Sequence, residues 1–418
     1  MARAGRSDCI VLILIILFCT GTVFAASVNS TGELTPIPPN EASDFRLFIP
    51  SSGSIHSTQV LDAINGKTGD VFFATSFGLS DYNGSWSTRH LTRDDLSSGL
   101  LDDFVTALEY DSSGNLWIGF PGGIQIDNGT GYTTIRDQQL LKSLRIKAFQ
   151  RQGDAMWVAT GNAGIHRFRN GTWSWYQPMS PGGPGFYEID SMVLDPVSDN
   201  LLIATEEKGV WRVSSARDPV TFERIDAPSG IKEPLIHVRR DPLGGAYFFN
   251  AAEVIRYTQD SGWQPVLSVP DLTQAKTVIN DIVAAPDGTL YVGTDDGIYI
   301  WREGSVVRHL SRFEGIGPSS VVTWLFFDAE DRLWFSTQNV VGYYAGDETR
   351  LSVIPIQILN QSPQLSPSTG SLAPPSQIVT TATTVPTSAM AEVPPKEPTL
   401  FERLLEFLSG LFEKSFGK

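Results

Sequence analysis

Between residues 45 and 357 the apolar positions come in short runs broken by Gly, Asp and Asn, and one arrangement of them returns seven times. Each copy has a turn residue, an apolar pair, and then Gly, Ala or Ser, usually followed by Thr. The copies are GDVFFATSFGL from Gly69, GNLWIGFPGGI from Gly114, DAMWVATGNAGI from Asp154, DNLLIATEEKGV from Asp199, GGAYFFNAAEV from Gly244, GTLYVGTDDGI from Gly288 and DRLWFSTQNVV from Asp331. Their aligned large residue is Phe72, Trp117, Trp157, Leu202, Tyr247, Tyr291 and Trp334, at spacings of 45, 40, 45, 45, 44 and 43. A period of this length belongs to propeller blades or helical arrays. Short apolar runs between turn residues select strands.

The second copy predicts one blade in full. Val105–Tyr110 alternates as an inner strand, and Asp111-Ser112-Ser113-Gly114 turns the chain. Asn115–Phe120 is apolar on both faces, as a central strand must be. Gly122-Gly123 forms a short loop, Ile124–Asp127 a third strand, Asn128-Gly129 a primed hairpin turn, and Tyr132–Arg136 an outer strand. Four antiparallel strands of this kind make a propeller blade. Further hairpin turns are predicted at Asn83-Gly84, Asn170-Gly171, Ser261-Gly262 and Glu303-Gly304. The fifth copy departs most, with Glu253 where most copies have Gly and Asn250 where they have Thr, but still counts as a blade. The expected fold is all-β, a seven-bladed propeller of four-stranded blades. Closure is expected to use Phe45–Pro50 as the outer strand of the last blade, with Arg350–Ile354 a second candidate.

SSGLLDDFVTALEYDSSGNLWIGFPGGI from Ser97, VINDIVAAPDGTLYVGTDDGI from Val278 and SVVTWLFFDAEDRLWFST from Ser320 resemble the two-component regulator propeller repeat. That family's pattern runs approximately Asp-x-x-Gly-x-Leu-Trp-Ile-Gly-Thr, and the resemblance extends over residues 45–357. It implies a propeller of the kind that often forms the extracytoplasmic sensor part of a membrane histidine kinase. The stretch after residue 357 is read as too short for a transmembrane helix and kinase, so signalling would pass through a separate transducer.

The ends obey other rules. Arg3 and Arg6 precede the apolar run Cys9–Phe18, and Val23-Phe24-Ala25 puts small or apolar residues at the cleavage positions, which reads as a signal peptide over 1–25 cleaved near Ala25. An uncleaved anchor and lipid attachment at Cys19 are the alternatives. Residues 26–44 form an N-terminal lead. Residues 358–398 form a Pro/Ser/Thr-rich linker, an extended tether or glycosylated stalk. Residues 399–418 predict an amphipathic helix. Thr399 and Glu402 make a capping box, and Leu400, Phe401, Leu404, Leu405, Leu408, Leu411 and Phe412 share one face. Through 400–416 this helix is expected to bind a membrane surface peripherally, associate with another copy or meet a second protein.

Composition narrows the chemistry. Both cysteines, Cys9 and Cys19, lie in the signal segment, so the remainder has no disulfide and no thiolate ligand. A net charge of −15 argues against nucleic acid as a partner. His56, His90, His166, His237 and His309 form no metal pair by spacing, and no GxSxG or phosphate loop occurs. No cofactor, metal or catalytic residue is expected. Glu206, Glu207, Asp295 and Asp296 lie in loops between second and third strands, where a propeller would place them at one channel mouth, to meet a cation or polar ligand or simply water. They lack the alternating oxygen ligands of a calcium loop. Trp117, Trp157 and Trp334 read as core. Trp86, Trp173, Trp175 and Trp263 read as packing, with sugar stacking as the alternative. Asn29, Asn83, Asn128, Asn170 and Asn360 stand in glycosylation sequons.

These features favour an exported, non-catalytic propeller that binds a small ligand or protein at the cell surface. The alternatives are a propeller enzyme resembling streptogramin lyases or lactonases, and a surface-layer or adhesion component.

Overall fold

A computed structural model describes residues 26–28, 34–36, 44–91, 99–181, 183–205, 208–229, 235 and 237–346. The signal segment, Arg350–Ile354, the linker and the amphipathic helix lie outside the described residues. Ala26–Val28 and Leu34–Pro36 pair antiparallel within the N-terminal lead.

Seven four-stranded antiparallel sheets form the propeller, each with its strands in sequence order from the inside out except the last. In the second blade the strands are Ala107–Tyr110, Leu116–Phe120, Gly123–Asp127 and Tyr132–Ile135, within a residue or two of expectation. The fifth copy is a complete blade, with strands His237–Arg240, Ala246–Phe249, Glu253–Thr258 and Gly262–Ser268. Inner strands of successive blades contact one another, and the last inner strand, Val322–Phe327, contacts the first, Val60–Asn65. The last blade takes its outer strand from the other end of the propeller. Phe45–Phe48 pairs with Val341–Tyr344, in register Phe45 to Tyr344 and Phe48 to Val341. The ring therefore closes through the N-terminal strand.

The repeat's residues each have a physical task. The turn aspartate accepts backbone N–H groups and an indole. Asp111 accepts from Ser113 N and Asn115 N at 2.9 and 2.8 Å and from Trp117 Nε1 at 3.2 Å. Asp328 does the same for Glu330 N, Arg332 N and Trp334 Nε1, the last at 2.6 Å. The threonine closing the second strand locks the next loop, since Thr75, Thr160, Thr205, Thr294 and Thr337 each donate to the carbonyl that opens the third strand. Asn250 meets the same need in the fifth blade by accepting from Ala252 N and Glu253 N. The glycine that comes next is steric. Gly297 has φ +120°, and a Cβ there would lie 2.3 Å from Leu310 O on the outer strand.

The core lies between blades. Trp117, Trp157 and Trp334 are fully buried. Trp86 packs on Phe48, Tyr82 and Trp334, Trp173 on Trp117 and Phe168, and Trp263 on Phe248 and Tyr257, so these three hairpin indoles serve packing. Trp175 keeps a partly open ring, with Lys142 Nζ 5.2 Å from its centroid.

Candidate ligand-binding face

The antiparallel order puts the loops between second and third strands on the same face as the connections between blades. The turns between first and second strands and the outer hairpins lie on the opposite face. The loop-bearing face carries an open cleft of about 670 Å³ between the sixth and seventh blades. It is lined by Asp296, by the connection from Ser311 to Ser320, and by Gln338 and Asn339 of the seventh blade.

Local bonds consume much of the cleft's acidity. Asp296 Oδ2 accepts from Tyr299 Oη at 3.0 Å, and Asp296 O receives His309 Nε2 at 2.6 Å. His309 also stacks on Tyr299, with centroids 4.1 Å apart. Glu314 Oε2 accepts from Ser311 N at 2.8 Å and Ser311 Oγ, and these bonds hold its carboxyl below the usual range. Arg312 lies over the Phe313 ring at 4.7 Å and has no carboxylate partner among the described residues, and Phe313 is 81% exposed. The free recognition groups are thus a guanidinium, an open aromatic ring and two amides.

Of the residues singled out in the sequence, Asp296 lines this cleft. Asp295 turns toward the inner strand, where it accepts from Asn280 Nδ2 at 2.9 Å. Glu206 and Glu207 lie outside the described residues, as do Asn29, Asn360 and Ala25. Asn83, Asn128 and Asn170 are exposed at hairpin turns. Asn170 has φ +51° and Gly171 φ +75°, the primed-turn conformation expected there.

Sequence reading missed two sets of groups, because each gathers residues from different blades. The first is a ladder around the central channel. Asp62, Ser191 and Asp281 hold equivalent inner-strand positions. Each accepts the N–H of the next blade's inner strand, at Leu108 (2.8 Å), Val238 (2.8 Å) and Leu325 (2.9 Å) respectively. Arg239 Nη2 reaches Asp281 Oδ1 at 2.8 Å. Glu109 accepts from Gln150 Nε2 and Arg151 N, both at 3.3 Å. Burial raises the carboxyl pKa at Asp62, Glu109 and Asp281. Asp62 is pushed up to about 7, against the pull of its bond from Leu108 N and with a further push from Glu109.

Proton counts set the sign of the resulting pH effect. The unfolded chain gives up the Asp62 proton near pH 4, while the native state keeps it until about 7. Between those values the native state binds more protons, so stability falls as pH rises and levels off above 7. The melting temperature should drop by several degrees between pH 5 and 8, and Asp62→Asn should flatten that profile. An unchanged slope in the variant would assign the effect elsewhere.

The second set lies on the loop-bearing face at the first blade. His56 Nδ1 and His90 Nε2 are 2.8 Å apart, and His90 Nδ1 lies 3.1 Å from Asp103 Oδ1. No sequence spacing announces this, since the two histidines are 34 residues apart.

The two component regulator propeller family matches residues 99–122, within the second blade. No curated protein sequence matches the chain. Among solved structures, the extracellular domain of the hybrid two component system BT4673 of B. thetaiotaomicron superposes with a TM-score of 0.56 at 15% identity, covering 72% of this chain and 39% of that one. The corresponding domain of BT3049 from B. thetaiotaomicron gives 0.56 at 17%, covering 69% and 40%. A streptogramin B lyase gives 0.55 at 14%, covering 72% and 96%. The chain thus spans about two fifths of the two extracellular domains. At these identities the shared property is the propeller fold.

Proposed function

We propose that this propeller, which carries the two component regulator propeller repeat, is a non-catalytic ligand-binding module that works outside the cytoplasm. The observation that carries the reading is the cleft between the sixth and seventh blades. It is open, polar, and furnished with Arg312 and Phe313 that no described carboxylate or core residue engages. A polar ligand with an anionic or ring-shaped part would find a cation, an aromatic face and the amides of Gln338 and Asn339 together. The matched repeat and the extracellular location of the BT4673 and BT3049 domains support an extracytoplasmic sensor role.

Thermal-shift screening of the propeller with sugars, peptides and ions tests this. A binder should raise the melting temperature of the native protein. Arg312→Ala should weaken it about tenfold, the equivalent of one charge-assisted hydrogen bond. Absence of any shift, together with turnover of a substrate, would end the reading.

A second reading, an enzyme, gains from the Asp103–His90–His56 series, the kind of arrangement that moves protons. It expects turnover that disappears in His90→Gln while the cleft ligand still binds.

A further inference from the structure

We propose that His56 and His90 bind a divalent transition-metal ion, of the zinc, nickel or copper type, on the loop-bearing face of the first blade. The tautomer of His90 is set by its neighbour. A carboxylate only accepts, so the 3.1 Å contact with Asp103 Oδ1 places the proton of His90 on Nδ1 and leaves a lone pair on Nε2. Asp103 is itself held, because the same oxygen accepts Leu91 N at 2.8 Å. A carboxylate behind an imidazole, with the far nitrogen presenting its lone pair, is the usual support of a histidine metal ligand.

Another histidine, His309 of the sixth blade's outer strand, stands at a different register position and is held differently. His309 faces a backbone carbonyl through Nε2, at Asp296 O, so its proton sits on the nitrogen that His90 leaves bare. In the first blade that nitrogen meets a second imidazole, His56, from the connection that enters the blade. The two ring planes are 23° apart, with centroids at 4.8 Å. Phe77, 51% exposed, covers one side, with its centroid 5.0 Å from His90 and 6.3 Å from His56.

The separation suits two ligands of one ion. Nitrogens each about 2.0–2.1 Å from a metal and about 90° apart, the angle of square-planar or octahedral copper and nickel, lie about 2.9 Å from one another, and a tetrahedral zinc opens them to about 3.3 Å; these lie at 2.8 Å. Once the His56 proton has moved, a tilt of both rings turns the two nitrogens from each other to a common point. Proton balance is simple. His56 moves its proton from Nδ1 to Nε2, Nδ1 becomes a ligand, and no net proton leaves. Among the described residues no three His, Cys, Asp or Glu side chains converge, so the described protein ligands are these two nitrogens. Nitrogen donors select transition metals over calcium and magnesium, which need oxygen ligands.

The test is isothermal titration of the full chain, free of any histidine tag, with zinc, nickel, copper and calcium chlorides. Zinc, nickel and copper should bind one per chain and calcium should not. His56→Gln and His90→Gln should each abolish binding, Asp103→Asn should weaken it 10–100-fold, and His309→Gln should leave it unchanged. Electron paramagnetic resonance of the copper-loaded protein should show two nitrogen ligands. Circular dichroism of each variant confirms that it is folded. No binding by the native chain, or binding that survives in a folded His90→Gln protein, overturns the proposal. A copper spectrum with one nitrogen or none also overturns it.

Discussion

A chain that begins at Ile49 should lose the single cooperative unfolding transition of the intact propeller. Phe45–Phe48 is the outer strand of the last blade, and without it Val341–Tyr344 becomes an open edge. The loss includes more than ladder bonds. Phe48 packs on Trp334 at 6.1 Å, Tyr82 at 5.3 Å and Trp86 at 5.1 Å, bridging the last blade to the first. Phe45 packs on Phe335 and Tyr344. Burying two aromatic rings is worth about 2–3 kcal/mol each, and an uncovered edge invites pairing with other chains. Urea unfolding should broaden or split, and gel filtration should show oligomers. In the full chain, Phe48→Ala alone should cost about 3 kcal/mol. Arg46→Ala, at an exposed position of the same strand, should cost little. A monomeric truncated chain with one sharp transition would mean that another segment closes the ring.

The second large effect is expected at Asp281. Its side chain is 2% exposed and joins three elements: its own strand through Ile282 N, the seventh blade through Leu325 N, and the fifth through Arg239. Asp281→Ala strands a guanidinium and a buried N–H. Breaking a buried pair costs about 3–5 kcal/mol. Arg239 is 34% exposed and regains some hydration, so the lower end applies. Asp281→Asn keeps one acceptor and should cost about half as much, measured as a shift in urea midpoint at constant slope. A loss below about 1 kcal/mol for Asp281→Ala would show that solvent in the channel already screens the pair.

The contrast between fold and site in legibility has a physical cause. The residues that specify a blade act within one blade and recur in most copies. Asp111 reaches Trp117, Thr294 reaches Gly297, and Gly297 lies under Leu310. Each relation spans a fixed, short stretch of chain and is repeated, so the sequence displays it as a period. Closure was also readable, because Phe45–Phe48 resembles outer strands elsewhere. The candidate sites act between blades. The cleft joins Arg312 to Gln338, Asp62 reaches Leu108, and His90 meets His56. Such pairs depend on how far one blade turns relative to the next, which no spacing encodes. Acidic loop dipeptides were therefore the visible signal. Of the described pair, Asp296 lines the cleft while Asp295 is bound back to Asn280. A better signal was available in the inner strands, where Asp62, Ser191 and Asp281 put polar side chains at one repeat position otherwise held by Ala107, Ala148, His237 and Trp324.

The closing strand also sets how the ring bears tension. Phe45 and Tyr344 sit opposite each other at the end of the ladder where the chain both enters and leaves the blade. Force applied between the two ends would therefore peel that ladder one rung at a time, the geometry of a zipper and not of a sheared joint. Each rung resists alone, and the seam would yield before any other blade is loaded. A propeller held by one end only, with the other left slack, never places its seam in that position.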